Sequence, residues 1–248
     1  MSWAIITGAT SGIGLATAEL LASRSYKLIL LGRRKDRLEN LQKKLKDQTE
    51  VKTYSFDLRE KDQIQNFLMQ EKALLNETKI LINNAGLARG VDTLQESNLE
   101  DIDEMIETNL TSLLHLTRGV LPHFLKQGQG HIVNMGSVAG RLVYPKGAVY
   151  CATKFAVRAL SEGLRMDLLG TPIRVTNIEP GMVNTEFSEV RLRSKDKADL
   201  VYAGMTALTA KDIAETIVWC LERPAHVNIQ ELVIYPTDQA SVGQVHRQ

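Results

Sequence analysis

The sequence predicts an α/β fold, with one parallel sheet of seven strands and helices on both of its faces. Three observations carry this expectation. Short apolar runs alternate with longer stretches whose apolar residues recur at helical spacing. Short turns join these stretches, so successive strands must run parallel, with right-handed crossovers through helices. The first turn is glycine-rich and falls between a strand and a helix. The alternation fills all 248 residues without linker, repeat or low-complexity tract, so residues 1–248 read as a single domain.

In chain order, residues 3–7 form an apolar run ending at Gly8, the pattern of a buried strand. The following helix carries Ile13, Ala16, Leu20 and Leu21 on one stripe, and residues 27–31 (KLILL) form strand two. Together these make a βαβ unit. Residues 35–46 read as a charged helix with Leu38, Leu41 and Leu45 inward, and 51–56 as strand three. A helix over 60–75 leads to strand four at 80–83. One long helix is expected over 99–126, its spine Ile102, Met105, Ile106, Leu110, Leu113, Leu114, Leu121 and Phe124. Strand five (131–135), a helix (150–169), strand six (173–178), a helix (210–221) and a last strand (231–235) complete the pattern. Residues 180–199 are polar, charged and weakly periodic, which predicts a mobile lid, with 185–205 as its moving part.

Composition narrows the function. Apolar residues at 44% and charged residues at 24% fit a soluble globular chain. A net charge of +1 gives no reason to expect nucleic acid, membrane or acidic partners. Cys151 and Cys220 provide no disulfide framework, so a reducing, cytoplasmic setting is expected. Neither they nor the five scattered histidines show ligand spacing, so no metal is expected. The chain runs from Met-Ser-Trp straight into a strand, and no apolar run reaches the ~18 residues of a span; neither a signal peptide nor a membrane helix is expected.

Two patterns carry chemistry. Gly8, Gly12 and Gly14 frame the turn Gly8-Ala9-Thr10-Ser11-Gly12-Ile13-Gly14. Glycine lets backbone turn sharply and approach a diphosphate, while the helix start offers free N–H groups. A plain tight turn is the bland alternative. Strand two ends Leu31-Gly32-Arg33-Arg34, where NAD sites place an acid on the ribose. Two arginines there favour the extra phosphate of NADP over NAD, unless they are only solvated charges at a helix start. The second pattern is Ser137 followed by Tyr150 and Lys154. A phenol and an amine four apart on a helix share one face, about 5–6 Å apart at Cβ. An ammonium there lowers the phenol from its usual pKa of about 10, so that it exchanges protons near neutrality. Ser137 adds a hydroxyl for a substrate oxygen. The i, i+4 pair alone is common in helices.

The glycine turn, Asn83-Asn84-Ala85-Gly86, Asn109, Ser137, Tyr150-x-x-x-Lys154 and Pro180-Gly181 occur in the order and spacing of the short-chain dehydrogenase/reductase family, which the whole chain resembles. Residues 178–191 and the tail resemble its NADP-dependent 3-hydroxy acid dehydrogenase group, which acts on serine, allo-threonine, 3-hydroxypropionate-type acids and malonic semialdehyde. The resemblance implies a Rossmann fold, with Tyr150 as general acid/base. Lys154 lowers its pKa and bonds the nicotinamide ribose, and Ser137 orients the substrate oxygen. Asn109 holds a water leading to Lys154, or is merely a helix-bending amide bonded to backbone. The cofactor would meet Gly8, Thr10, Ser11, Gly12, Ile13 and Gly14, then Arg33 and Arg34, Asn84, Ala85 and Gly86, and Pro180, Gly181, Val183 and Thr185. Asp57 and Leu58 would touch adenine, unless Asp57 caps a helix. Met182 would line the substrate. Arg191 is the first candidate for a substrate carboxylate and Arg141 the second. Cys151 points away from Tyr150 and reads as packing. Ala152, Ala156, Ala159 and Gly163 form a small-residue stripe, which the resemblance assigns to an interface within a homotetramer. A reductase of bulkier ketones, steroids or quinones is the alternative function.

Overall fold

The computed structural model describes residues 2–248. The elements are β1 (Trp3–Thr7), α1 (Gly12–Ser23), β2 (Lys27–Gly32), α2 (Lys35–Leu45), β3 (Val51–Ser55), α3 (Lys61–Gln70), α4 (Lys72–Leu75) and β4 (Thr78–Asn83). After them come α5 (Leu99–Ile106), a π-helical turn (Glu107–Thr111), α6 (Ser112–Gln127), β5 (Gly130–Met135), α7 (Ala148–Asp167) and β6 (Ile173–Pro180). The chain closes with β7 (Val183–Asn184), α8 (Phe187–Leu192), α9 (Lys195–Tyr202), β8 (Leu208–Thr209), α10 (Ala210–Leu221), β9 (Glu231–Ile234), β10 (Gln239–Ser241) and β11 (Gln244–Val245). Seven strands form one parallel sheet in the order β3-β2-β1-β4-β5-β6-β9. Chain direction across the sheet reverses between β1 and β4, which opens a crevice at their carboxyl ends.

Strand alternation splits the core in two. Ala4, Ile6, Leu28 and Leu30 face Leu21 of α1, Leu38 and Leu41 of α2, and Ile213 and Ile217 of α10. Trp3, Ile5, Ile29 and Leu31 face Ile64 and Phe67 of α3 and Leu116, Val120 and Phe124 of α6. Both faces of each central strand are therefore buried, as an all-parallel sheet requires. Toward the carboxyl ends this apolar packing gives way to a polar tier. Asn83, Asn134 and Asn177 are register partners across β4, β5 and β6. Asn83 Nδ2 donates to Asn134 Oδ1 (2.8 Å) and to Thr117 Oγ1 (2.9 Å), and Asn134 Nδ2 donates to Ser161 Oγ (2.9 Å).

Three expectations from the sequence need correction. The helix expected over 60–75 breaks at Glu71, whose backbone (φ −102°, ψ 23°) separates α3 from α4. The helix expected over 99–126 is interrupted by the π turn, which bulges Asn109 inward. Hydrophobic periodicity runs on through both breaks, so it does not register them. Residues 180–199 are not irregular: they hold β7, α8 and most of α9. Their helices are too short for periodicity to show, but Phe187 and Val190 pack on the cluster around Tyr150. Ser194 caps α9 by accepting from the Lys197 N–H (3.3 Å).

Beside the polar tier, Glu179 of β6 is fully buried. It accepts from Arg141 and from Asn177 Nδ2 (2.7 Å), and Arg141 also pairs with Glu231 of β9. Burial pushes the Glu179 carboxyl up, against the pull of Arg141. Removing one partner of a buried pair costs about 3–5 kcal/mol, because the other charge stays buried. Arg141→Met should therefore lower the melting temperature sharply, whereas Arg141→Met with Glu179→Gln should recover much of it. Equal melting of wild type and Arg141→Met would show that Arg158, 3.9 Å from Glu179, carries the charge alone.

Candidate active site

The carboxyl ends of the strands open onto a cleft of about 510 Å³. Every residue singled out above for cofactor, catalysis or substrate lines it, except Gly14, Asn109 and Arg141.

The glycine turn begins where β1 ends. Gly8 and Gly12 have φ of +65° and +51°, which L side chains rarely adopt. Gly14 lies behind the cleft. A Cβ there would overlap the Gly8 carbonyl and the Asn84 amide. Thr7 Oγ1 accepts from the N–H groups of Asn84 (2.9 Å) and Ala85 (2.8 Å), and Asn84 Nδ2 donates to the Thr7 carbonyl (2.9 Å). The ends of β1 and β4 are thus tied together, holding open the cradle. Ser11 precedes α1 without capping it through its side chain, so the helix start offers its N–H groups.

At the end of β2 there is no room for an acid. A Cβ on Gly32 would press on the Thr10 methyl, 2.9 Å away. Arg34 instead spans the turn. Its Nε and Nη2 donate to Thr10 Oγ1 (3.0 and 2.8 Å), Nη2 also to Ser11 Oγ (2.7 Å), and Nη1 to Glu186 (2.7 Å). Arg33 lies farther out, 3.7 Å from Asp57 and 3.5 Å from Glu104. A guanidinium and two hydroxyls beside a helix start form a donor set that fits a phosphate. Asp57 is no helix cap; α3 starts after Glu60. Its carboxylate accepts from the backbone and guanidinium of Arg59. Burial works to raise the Asp57 carboxyl, but these bonds hold it below the usual range. Leu58 is buried against the core beneath.

At the other end, α7 presents Tyr150 and Lys154, both buried. Lys154 Nζ donates to the Met135 carbonyl (2.8 Å) and lies 5.8 Å from the centre of the Tyr150 ring. Burial pulls the Lys154 amine down to about 8. Burial pushes the Tyr150 phenol up, and Tyr144 adds to this, while the Ser137 hydroxyl acts against it. The lowered phenol expected from the i, i+4 pair is therefore not present here. Burial sets the direction, and the Lys154 amine donates to a backbone carbonyl instead. Ser137 Oγ accepts from the Ala139 N–H (3.1 Å), which fixes the hydroxyl at the end of β5. Asn109 accepts from the Leu87 N–H and donates to the Leu87 carbonyl, both 2.8 Å, and to Thr153 Oγ1 (3.1 Å). A Cβ on Gly86 would touch both Asn109 Oδ1 (3.3 Å) and Lys154 Nζ (3.4 Å). Asn109 thus clamps backbone immediately behind the lysine. Cys151 is fully buried with Leu87, Ala88 and Met105, where burial raises its thiol.

Residues 180–192 form the remaining wall. The Gly181 N–H donates to Ile234 (2.7 Å) and the Met182 N–H to Gln239 (2.7 Å). Thr185 packs over Gly12, and Phe187 lies 5.6 Å from Tyr150, ring centre to ring centre. Arg191 enters the cleft. Its Nε donates to the Gly90 carbonyl (2.9 Å), its Nη1 to the Tyr144 hydroxyl (3.0 Å), and its guanidinium lies over the Tyr144 ring. Arg141 does not reach the cleft, being held by Glu179 and Glu231, so it is no candidate for a substrate carboxylate. Sequence reasoning missed Tyr144 and Glu186. Tyr144 sits in an apolar stretch with no distinguishing spacing, and Glu186 read as one charge among many in a polar segment. Among the described residues no group of acids, histidines and cysteines is arranged for a metal, and no helix is long and apolar enough to cross a membrane.

The buried amine has a measurable signature. Its folded pKa of about 8 lies below the ordinary lysine value of 10.5, so between these the unfolded chain holds a proton that the folded chain lacks. Stability therefore rises with pH across that window. Lys154→Met should melt higher than wild type at pH 7, by roughly 5 °C, and should lack the rise above pH 8. Parallel melting curves from pH 7 to 10 would mean that the amine is not buried as a charge.

Comparison with known proteins agrees with this geometry. A family model for short chain dehydrogenases matches residues 2–196. The chain is 42% identical over 247 residues to NADP-dependent 3-hydroxy acid dehydrogenase YdfG of Escherichia coli O6:H1, covering 98% of this chain and 99% of that one. It is also 42% identical over 238 residues to sulfoacetaldehyde reductase 2 of Chromohalobacter salexigens, covering 95% and 94%. Among solved structures, the closed form of a serine dehydrogenase complexed with NADP+ superposes with a TM-score of 0.91 at 41% identity, over 99% of this chain and 100% of that one. With this sequence match and the glycine turn, Ser137, Tyr150 and Lys154 gathered on one cleft, the chain belongs to the short-chain dehydrogenase/reductase family.

Proposed function

We propose that this protein is an NADP-dependent oxidoreductase that interconverts small 3-hydroxy acids, of the serine, allo-threonine and 3-hydroxypropionate type, with their 3-oxo forms. One observation carries the substrate class: Arg191 stands in the same cleft as Tyr150. The walls there include Val138, Met182, Phe187 and Val190. An unpaired carboxylate among them would be very costly, and a guanidinium removes that cost by gripping it with paired bonds. The 3-hydroxy acid and serine dehydrogenase relatives support this reading. The sulfoacetaldehyde reductases support a close variant, because a sulfonate suits the same cation.

In this reading Arg34, Thr10 and Ser11 hold the 2′-phosphate of NADP, with Arg33 adding positive potential. Gly8, Gly12 and Ile13 give its diphosphate close backbone approach at the start of α1, for which Gly14 makes room. Asp57 and Leu58 flank the adenine. Asn84, Ala85 and Gly86 flank the ribose, and Pro180, Gly181, Val183 and Thr185 the nicotinamide. Bound NADP supplies the hydride acceptor for oxidation and its reduced form the donor for reduction. Tyr150 takes the alcohol proton or returns it to the carbonyl oxygen. Ser137 donates a hydrogen bond to that oxygen. Lys154 holds an exchangeable proton behind Tyr150, at an amine tuned near pH 8. Asn109 keeps Leu87 and Thr153 in place around it.

Turnover of L-serine with NADP, set beside sulfoacetaldehyde and a bulky ketone with NADPH, tests the proposal; a preference for the bulky ketone would end it. Tyr150→Phe should lose about 10²–10⁴ in turnover while its NADP dissociation constant stays unchanged. Wild type should prefer L-serine to its methyl ester, and Arg191→Met should lose that preference. An unaltered acid-to-ester ratio would remove Arg191 from the substrate site. The same reading carries a homotetramer, built through the stripe on α7, where Ala152 and Ala159 are exposed and Gly163 meets nothing within 4 Å. Light scattering should give a tetramer for wild type and a smaller species for Ala159→Arg.

A further inference from the structure

The inference concerns Glu186 and rests on the NADP reading above. Glu186 lies at the start of α8 and lines the cleft. Its two carboxylate oxygens are divided between two arginines. Oε2 accepts from Arg34 Nη1 at 2.7 Å, and Oε1 from Arg37 Nη1 at 2.6 Å. Arg34 is the guanidinium that also bonds Thr10 and Ser11 at the glycine turn. Burial works to raise the Glu186 carboxyl, but the bonds from both arginines hold it below the usual range, so it is ionised near neutrality.

We propose that Glu186 is an internal competitor for the 2′-phosphate of NADP, occupying Arg34 and thereby setting how tightly the protein holds NADP relative to NAD. The charges decide the direction. Arg34 and Arg37 together carry +2, and Glu186 reduces the group to +1. A phosphate monoester carries about −1.5 to −2 near pH 7. It must either take Arg34 Nη1 from Glu186 or lie against a like charge, and both weaken its binding. The three side chains are only partly exposed, between 38% and 42% on the side chain, which keeps the pairing from being fully screened without making it strong. NAD has no 2′-phosphate, so Glu186 leaves its binding untouched.

The test is equilibrium binding by calorimetry to wild type and Glu186→Gln, which keeps the size and removes the charge. The ligands are NADP+, NAD+, 2′-AMP and 5′-AMP. Glu186→Gln should bind NADP+ and 2′-AMP about threefold to tenfold more tightly, with NAD+ and 5′-AMP unchanged. Arg37→Gln should weaken NADP+ in the wild-type background and change little in the Glu186→Gln background, because its task is to draw the carboxylate off Arg34. Weaker or unchanged NADP+ binding by Glu186→Gln would overturn the proposal and make Glu186 a residue that orients Arg34. Equal tightening of NADP+ and NAD+ would also overturn it, leaving only general negative potential. Wild type binding 2′-AMP no better than 5′-AMP would instead sink the NADP reading itself, and this proposal with it.

Discussion

Burying the Lys154 amine carries a desolvation cost, and a single hydrogen bond to backbone fixes where it lies. The amine donates to Met135, the last residue of β5, so α7 must cross the carboxyl end of that strand. Thr153 beside it bonds both the Tyr150 carbonyl and the Asn109 amide. Asn109 can face inward because the π turn adds a residue to the helical run and re-aims the side chain. It then fixes Leu87, and with it the turn after β4. Lys154, Thr153 and Asn109 thus tie together the turn after β4, the end of β5, α7 and the break between α5 and α6. A favourable ion pair is not what holds the lysine. Its low pKa follows from burial, and its one hydrogen bond goes to the Met135 carbonyl.

A polar tier supports this arrangement from below. Asn83, Asn134 and Asn177 occupy the same register on three neighbouring strands, where apolar residues fill the level beneath. Hydrogen-bonded amides fix orientation where apolar side chains would allow sliding, at the cost of requiring satisfaction. That requirement is not fully met: Asn83 Oδ1 and Asn177 Oδ1 have no partner among the described residues. Asn177 and Glu179 also leave no space for a side chain at Gly136, which keeps the strand end ahead of Ser137 pressed onto them. Stability is given up here for definition of the site above.

Most of the fold was legible because the sheet is parallel and its central strands are covered on both faces. β1, β2 and β4 carry near-continuous apolar runs, and the core helices have their stripes. The site was legible where chemistry demands one residue type at one place: a glycine where φ is positive, a tyrosine and lysine on one helical face. It was not legible where the partner lies far along the chain. Tyr144 acquires meaning only through Arg191, 47 residues on, and Glu186 only through Arg34, 152 residues back. Arg141 looked available because it follows Ser137 closely, yet β6 and β9 deliver two carboxylates to it. The expected effect of Lys154 on Tyr150 failed for a related reason. Spacing gives proximity, but burial, which depends on the whole fold, sets the sign.

The wall formed by α8 shows how a short element is held without a core of its own. Six residues cannot support a helix alone. Phe187 and Val190 give it a small apolar foot beside Tyr150, and polar ties hold both ends. At its start Glu186 joins it to Arg34 and Arg37. At its end Arg191 exchanges bonds with Gly90, and Arg89 reaches the Val190 carbonyl (2.8 Å). Arg193 pairs with Asp101. These ties are mostly ionic and partly exposed, so each is worth little and can be exchanged. Segments of this kind open at low free energy compared with the sheet beneath them. The charged groups at the ends of α8 that line the cleft are Glu186, toward Arg34 and Arg37, and Arg191, toward Tyr144. Charged side chains thus stand at both ends of the same six-residue helix, Glu186 held by arginines and Arg191 by a carbonyl and a hydroxyl, so one short element sets the charge at two places in the cleft.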